Sequence, residues 1–224
     1  MQMNDSKELW LGLRSKLTNY EVRLGAASGQ DYIHYPKHLA FVASRYKFAS
    51  KMMASLSFVI EVGCGDAFGS PMIAQSVKEL LCTDIDPETL QDNETRCAAF
   101  KNITFKYFDF RKDFYPEPAD GICLVDVLEH IFPNEEEIFL SNLRKSLLPY
   151  GVALFGTPNI EAEKYSSPNS KLGHVNLKSH ETLRMSLGAH FHNIFLFSMN
   201  DEVLHTGFSP MAHYLWALCA SPKN

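Results

Sequence analysis

Polar and apolar positions change period along the chain. Leu9, Leu13, Leu17 and Leu24 recur at helical spacing and predict a helix over residues 6–24, closed by Gly25 and the Ser28-Gly29 pair. A second helix is predicted over residues 36–53. Pro36 suits a first-turn position, and Leu39, Val42, Ala43, Tyr46 and Met53 share one face. The period then shortens. Residues 57–62 form a compact apolar run that stops at glycines, the pattern of a strand buried on both faces. Four more strands are predicted at residues 80–84, 103–108, 121–127 and 151–156. Helices are predicted from Ser70, after Pro87 and over residues 135–147.

Strands alternating with helices predict an α/β fold with a doubly wound, mostly parallel sheet. The end of the chain departs from that pattern. Residues 191–199 and 211–219 are strand-like runs whose connection, 200–210, is too short for a crossover helix. They predict a C-terminal antiparallel strand pair and seven strands in all. Residues 157–178 are rich in Pro, Asn, Ser and Gly. They are long for a passive connection and read as a loop or lid near a site.

At 224 residues the chain suits one full-sized α/β unit. It divides into a helical N-terminal extension or cap, residues 1–54, and a main domain, residues 55–224. The formal net charge of −5 gives no basic face for a phosphate backbone, so no nucleic-acid partner is expected. The five cysteines form no CxxC pair, and no apolar run reaches membrane-spanning length. Residues 1–10 carry no apolar signal-peptide core. These features predict reduced thiols and a cytoplasmic protein without a membrane span. No Cys/His spacing suggests zinc, and no metal is expected.

The informative segment is Glu61-Val62-Gly63-Cys64-Gly65-Asp66-Ala67-Phe68-Gly69. Glycines at a strand-to-helix turn allow positive φ and close approach of a ligand to the backbone. Asp84 ends the next strand, where a carboxylate accepts hydrogen bonds from ribose hydroxyls. Asp86-Pro87 reads instead as a helix N-cap followed by a first-turn proline. The spacing is G-x-G-x-x-x-G, whereas dinucleotide enzymes use G-x-G-x-x-G.

That loop, with Glu61 two residues before its first glycine, resembles motif I of the class I S-adenosylmethionine-dependent methyltransferases. The resemblance extends over roughly residues 38–200. It includes Asp109 at the end of the third strand and the run Asp126-Val127-Leu128-Glu129-His130 with its L-E-H ending. It also includes Thr157-Pro158-Asn159 and, ahead of the loop, Arg45-Tyr46-Lys47-Phe48-Ala49. The overall look is that of the small-molecule branch with ubiquinone-type O-methyltransferases. The resemblance implies S-adenosylmethionine as cofactor, held by Gly63, Cys64, Gly65 and Phe68 of the loop. It further implies Glu61 acting indirectly on the ammonium, Arg45 on the carboxylate, and Asp84 on the ribose. Ile85, Asp109 and Phe110 would serve the adenine, with Asp126 at the fourth strand. Phe110 has a second reading as core, and Asp109 as a cap of the next turn.

Methyl transfer needs a base when the acceptor is a hydroxyl. His130, just past the fourth strand, and His174, in the lid segment, are the candidates for base or acceptor-orienting group. The expectation is methyl transfer to a small-molecule hydroxyl. The helical extension could cap the site or pack on a second copy in a homodimer. Two alternatives stay open from the sequence: a non-catalytic module that binds the cofactor or its product, and a nicotinamide-dependent oxidoreductase.

Overall fold

Strand β1 (Phe58–Val62) sends Ile60 and Val62 to one face of the sheet and Val59 to the other, and this alternation divides the core in two. The computed structural model describes residues 5–17 and 21–224. The strands that follow are β2 (Glu79–Asp84), β3 (Ile103–Tyr107), β4 (Ala119–Val125), β5 (Leu147–Pro158), β6 (Phe191–Asn200), β7 (Val203–His205) and β8 (Tyr214–Pro222). They form one sheet in the order β3-β2-β1-β4-β5-β8-β6-β7. Neighbours from β3 through β5 are parallel, while β8 runs antiparallel to both β5 and β6.

The predicted α/β class and the terminal antiparallel pair are therefore present. Among the described residues the sheet has eight strands rather than seven. The extra strand, β7, folds back on β6 within the stretch expected to be a plain connection. The last strand starts at Tyr214, because Pro210 and its neighbours form a 3-10 turn over Ser209–Met211.

Helices cover both faces. On one side, α3 (Pro36–Met52), α4 (Ser70–Ala74) and α5 (Pro87–Arg96) contribute Ala49, Ile73 and Leu90 against Val59, Cys123, Leu154 and Trp216. On the other, α6 (Glu136–Lys145) and α8 (His180–Gly188) contribute Phe139, Leu143, Leu183 and Leu187 against Ile122, Leu124 and Phe155. Each fully buried aliphatic side chain contributes roughly 1.5–3 kcal/mol, so the two layers hold the sheet from both sides. Helix α3 lies inside this core, which ties the N-terminal helices to the sheet.

The N-terminal helices differ from expectation. Helix α1 covers only Ser6–Arg14 and buries none of its residues. Residues 18–20 of the expected first helix lie outside the described residues. Gly25 and Ser28 begin a helix rather than end one: α2 spans Ala26–His34, with extended Gly25 as its N-cap and its N–H on Ser28 Oγ at 3.1 Å. The segment expected as a loop is ordered, with a 3-10 turn at Ile160–Tyr165 and a short helix α7 (Pro168–Gly173). All five cysteines are free and buried. No described helix is long and apolar enough to cross a membrane.

Candidate functional site

The glycine loop leaves the end of β1 and turns through left-handed conformations at Gly63 (φ +68°), Gly65 (φ +50°) and Ala67 (φ +54°). A side chain at Gly63 would put its Cβ 2.6 Å from Val127 Cγ2, so glycine is required both for the turn and for the close approach of β1 to the segment after β4. Gly65 faces open space instead. The N–H groups of Gly63 and Cys64 both donate to Thr83 O, at 2.8 and 3.0 Å, which fixes the turn against β2. Cys64 is buried and Phe68 half-buried.

Glu61 is sealed beneath this loop, 1% exposed. It accepts hydrogen bonds from Tyr46 Oη at 2.9 Å and from Cys82 Sγ at 3.3 Å. Burial pushes its carboxyl above the ordinary range, and the hydrogen bond from Tyr46 opposes that shift. Tyr46 also braces the far end of the loop, since a Cβ at Gly69 would sit 2.0 Å from its ring. Helix α2 is tied to the same loop: Asp66 accepts from Ser28 N at 2.7 Å and from Ser28 Oγ at 2.8 Å. The sequence placed Tyr46 only on an apolar face and did not connect Asp66 with α2. The signal available was Glu61 itself, a carboxylate in a buried strand that must find donors.

Asp84 lies at the carboxyl end of β2 and accepts from Gly65 N at 2.9 Å and from Ile85 N at 2.7 Å. It is half-buried, and Ile85 beside it is 53% exposed. Asp86 caps α5, accepting from Glu88 N at 3.0 Å, as the Asp86-Pro87 pair indicated. The two other residues expected near the adenine have partners of their own. Phe110 is 2% exposed and packs in the core edge-to-face on Phe108, at 4.7 Å between ring centroids. Asp109 turns to its own loop, where it accepts from Arg111 Nε at 2.9 Å, Arg111 Nη2 at 3.0 Å and Arg111 N at 3.0 Å. The Arg111 guanidinium holds the Asp109 carboxyl below its ordinary range.

Arg45, on α3, reaches the end of β4 and donates from Nη1 to Asp126 Oδ2 at 2.8 Å. Its guanidinium lies 4.0 Å from the centroid of the Tyr214 ring. Burial opposes the charge on Arg45, but Asp126 outweighs it and raises the guanidinium's proton affinity. Asp126 itself is held at φ +59° just past β4, and its Oδ1 is buried without a hydrogen-bond partner. A non-glycine residue in that region stores strain of order 1–3 kcal/mol, which is tolerated where the surroundings over-determine it.

Past Asp126, the 3-10 turn Leu128–His130 carries Glu129 inward, with no exposed surface, and His130 outward. Thr157 Oγ1 donates to Glu129 Oε2 at 3.0 Å, while Oε1 is buried without a partner. Burial, and next the charge on Asp126, push the Glu129 carboxyl up to about 8. The segment after α7 closes over this turn: Val175 N and Asn176 N donate to Glu129 O at 2.9 and 3.0 Å. His130 Nδ1 lies 2.9 Å from Gly173 O, and the rings of His130 and His174 are 5.2 Å apart in an edge-to-face arrangement. A carbonyl only accepts, so His130 donates from Nδ1, an arrangement that in the neutral ring leaves the lone pair on Nε2. Burial, with His130 next, lowers the pKa of His174. The two histidines singled out in the sequence are thus brought together, and Glu129, read there only as part of the L-E-H run, joins them. Lys178 and Asn176 anchor the same segment to α6 through Glu136, with Lys178 Nζ 2.6 Å from Glu136 Oε2.

Residues 60–153 match the family model described as a methyltransferase domain. A probable S-adenosylmethionine-dependent methyltransferase of Mycolicibacterium smegmatis is 26% identical over 102 residues, which are 45% of this chain and 38% of that protein. The chain therefore spans about two fifths of that relative's length. Among solved structures, the N-methyltransferase NodS of Bradyrhizobium japonicum WM9 superposes with a TM-score of 0.60 at 19% identity, over 85% of this chain and 99% of that one. The DhpI complex with S-adenosylhomocysteine superposes with a TM-score of 0.65 at 16% identity, over 88% and 92% of the two chains. At those identities the likeness is one of fold. The domain match spans the glycine loop, β2 and β4, so what the chain shares with these proteins is a methyltransferase-like domain over residues 60–153 and the fold around it.

Proposed function

We propose that the chain binds S-adenosylmethionine across residues 61–69 and passes its methyl group to a hydroxyl of a small-molecule acceptor. The observation that carries the cofactor half is the Gly63–Gly65 turn. It is braced from below by Glu61 and Tyr46, tied to Asp84, and open outward at Gly65. A carboxylate has about four lone-pair sites, so Asp84 keeps capacity for a ribose hydroxyl after its three backbone bonds from Gly65, Ile85 and Asp86. Ile85 offers an exposed apolar face beside it for the adenine. The unpartnered Oδ1 of Asp126 suits the methionine ammonium, and Arg45, bonded to Asp126 through one nitrogen, has further N–H groups for the carboxylate. When bound, the cofactor supplies an electrophilic methyl on a sulfonium, and the protein's part is binding and alignment.

The acceptor half rests on the Glu129, His130 and His174 cluster at the carboxyl end of β4, the edge where ligands sit in open α/β sheets. A hydroxyl acceptor must lose a proton, and the free Nε2 of His130 and the neutral imidazole of His174 are suited to orient or accept it. Formation of S-adenosylhomocysteine, followed across phenols, sugars, amines and carboxylates, tests the reading. Turnover on a hydroxyl acceptor is expected, together with its loss in His130→Ala and His174→Ala while product affinity is kept. Unchanged turnover in both variants, or turnover confined to amines, would refute the acceptor assignment.

A further inference from the structure

Helix α5 and the residues just before it hold the glycine loop from two ends. Asp84, ahead of the Asp86 cap, accepts from Gly65 N at 2.9 Å. Towards the other end of α5, Asn93 Nδ2 donates to Gly65 O at 2.7 Å. Both hydrogen-bonding groups of Gly65 are thereby engaged. Arg96 lies on the same helix face as Asn93, three positions on. It donates from Nη1 to the next carbonyl, Asp66 O, at 2.5 Å, from Nη2 to Asn93 Oδ1, and from Nε to Asp92 Oδ2 at 2.9 Å. Asparagine is among the weaker helix formers, and Asn93 is fully buried, so its place in α5 is costly unless its amide is used. Both ends of that amide are used, one on the loop and one on the arginine that also holds the loop.

We propose that Asn93 and Arg96 are positioning residues for the cofactor, which hold the Gly65–Asp66 peptide so that Asp66 N–H faces the bound ligand. A trans peptide points its N–H opposite to its C=O. Holding Gly65 O against α5 therefore turns Asp66 N–H away from the helix, and that N–H has no hydrogen-bond partner among the described residues. Gly65, at φ +50° with open space where a side chain would stand, cannot fix this peptide itself. Asp84 fixes only the peptide before Gly65, so the orientation of the one after it falls to α5. Asn93 and Arg96 act through the loop rather than by touching the ligand. The inference rests on the cofactor site proposed above and adds to it the residues that set the loop's outward donor.

The test uses the full chain and S-adenosylhomocysteine as the probe. Asn93→Asp keeps the oxygen that Arg96 bonds and turns the donor facing Gly65 O into an acceptor. Calorimetry should find the probe bound about 10–100-fold more weakly, while urea unfolding shows the fold retained. Asp84→Ala acts on the other peptide of Gly65, so the double variant should lose at least about 3-fold less than the product of the single losses. A role confined to holding α5 in place would lower stability and leave the two losses independent. Arg96→Lys, which keeps one cationic donor for Asp66 O, should lose less affinity than Arg96→Met. In the unaltered chain, hydrogen exchange at the Asp66 amide, followed by NMR, should slow about 10-fold or more when the probe binds. That measurement needs no variant to fold. Probe binding without protection at Asp66, unchanged affinity in Asn93→Asp, or independent losses in the double variant overturns the positioning role alone. Equal affinity in the two Arg96 variants removes Arg96 from it. Absence of probe binding in the unaltered chain overturns the cofactor reading instead.

Discussion

Replacing Gly63 by alanine tests whether the loop's shape depends on the absence of a side chain. The added Cβ meets two separate penalties. At φ +68° an L residue costs about 1–2 kcal/mol relative to glycine. Its Cβ would also lie 2.6 Å from Val127 Cγ2, well inside van der Waals contact, and overpacking of that kind costs about 1–3 kcal/mol. Gly63→Ala should therefore destabilise the chain by roughly 2–5 kcal/mol. At roughly 2–4 °C per kcal/mol for a chain of this size, that is a fall in Tm of about 4–20 °C. The two penalties can be separated. Val127→Ala removes the opposing methyl groups and leaves φ untouched, so the double variant should lose at least about 1 kcal/mol less than the sum of the singles. Urea unfolding of the four proteins measures this cycle. Additivity within about 0.5 kcal/mol would refute the contact, and a Gly63→Ala protein as stable as the original would refute both terms.

Four further outcomes follow from the same contacts. Tyr46→Phe keeps the ring against Gly69 but leaves buried Glu61 one donor short, so chemical denaturation should show a loss of about 1–3 kcal/mol. Asp84→Ala removes the acceptor of Gly65 N and the proposed ribose contact, and calorimetry should find S-adenosylhomocysteine bound about 10–100-fold more weakly. Asp66→Ala frees α2 from the loop, and product affinity should fall about 5–10-fold; an unaltered affinity would separate α2 from the cofactor site. Burial opposes the charge on Glu136, but bonds from Asn176 and Lys178 outweigh it and hold its pKa below the ordinary value. A depressed carboxyl stabilises the fold above its unfolded pKa, so that contribution should vanish as pH falls through the lower folded value, below about pH 4. The fall of Tm with acid should be shallower in Glu136→Gln, and identical slopes would contradict the pairing.

What the sequence made legible was whatever its neighbours along the chain determine. The run 57–62 and its glycines sit within a dozen residues, and the Gly63 and Gly65 turn lies where the pattern put it. Asp86 capped its helix because Asp-Pro acts locally. The N-terminal helices were misjudged because glycine and serine are used at both ends of helices. The cap of Gly25 N–H on Ser28 Oγ, held in place by the contact of Ser28 with Asp66 38 positions away, makes them the start of α2. Phe110 and Asp109 carried two readings each for a related reason. A residue at a strand end can turn to the core or to the ligand edge, and here Arg111 draws Asp109 into its own loop while Phe108 and the core take Phe110.

The same distinction explains why the cofactor was readable and the acceptor chemistry was not. Nearly everything proposed to hold S-adenosylmethionine is gathered at consecutive strand ends, with Asp84 only 19 positions from the Gly65 it binds. The acceptor cluster joins a turn after β4 to a segment 43 positions later, through a single carbonyl contact from Gly173 to His130 and two amides on Glu129. No spacing rule reaches across that gap, and each histidine alone looked like a candidate base. Brought together beside a buried, half-satisfied carboxylate, they form one cluster that only the fold assembles. His130→Ala and His174→Ala, each scored separately for turnover and for S-adenosylhomocysteine binding, decide which of the two meets the acceptor's proton.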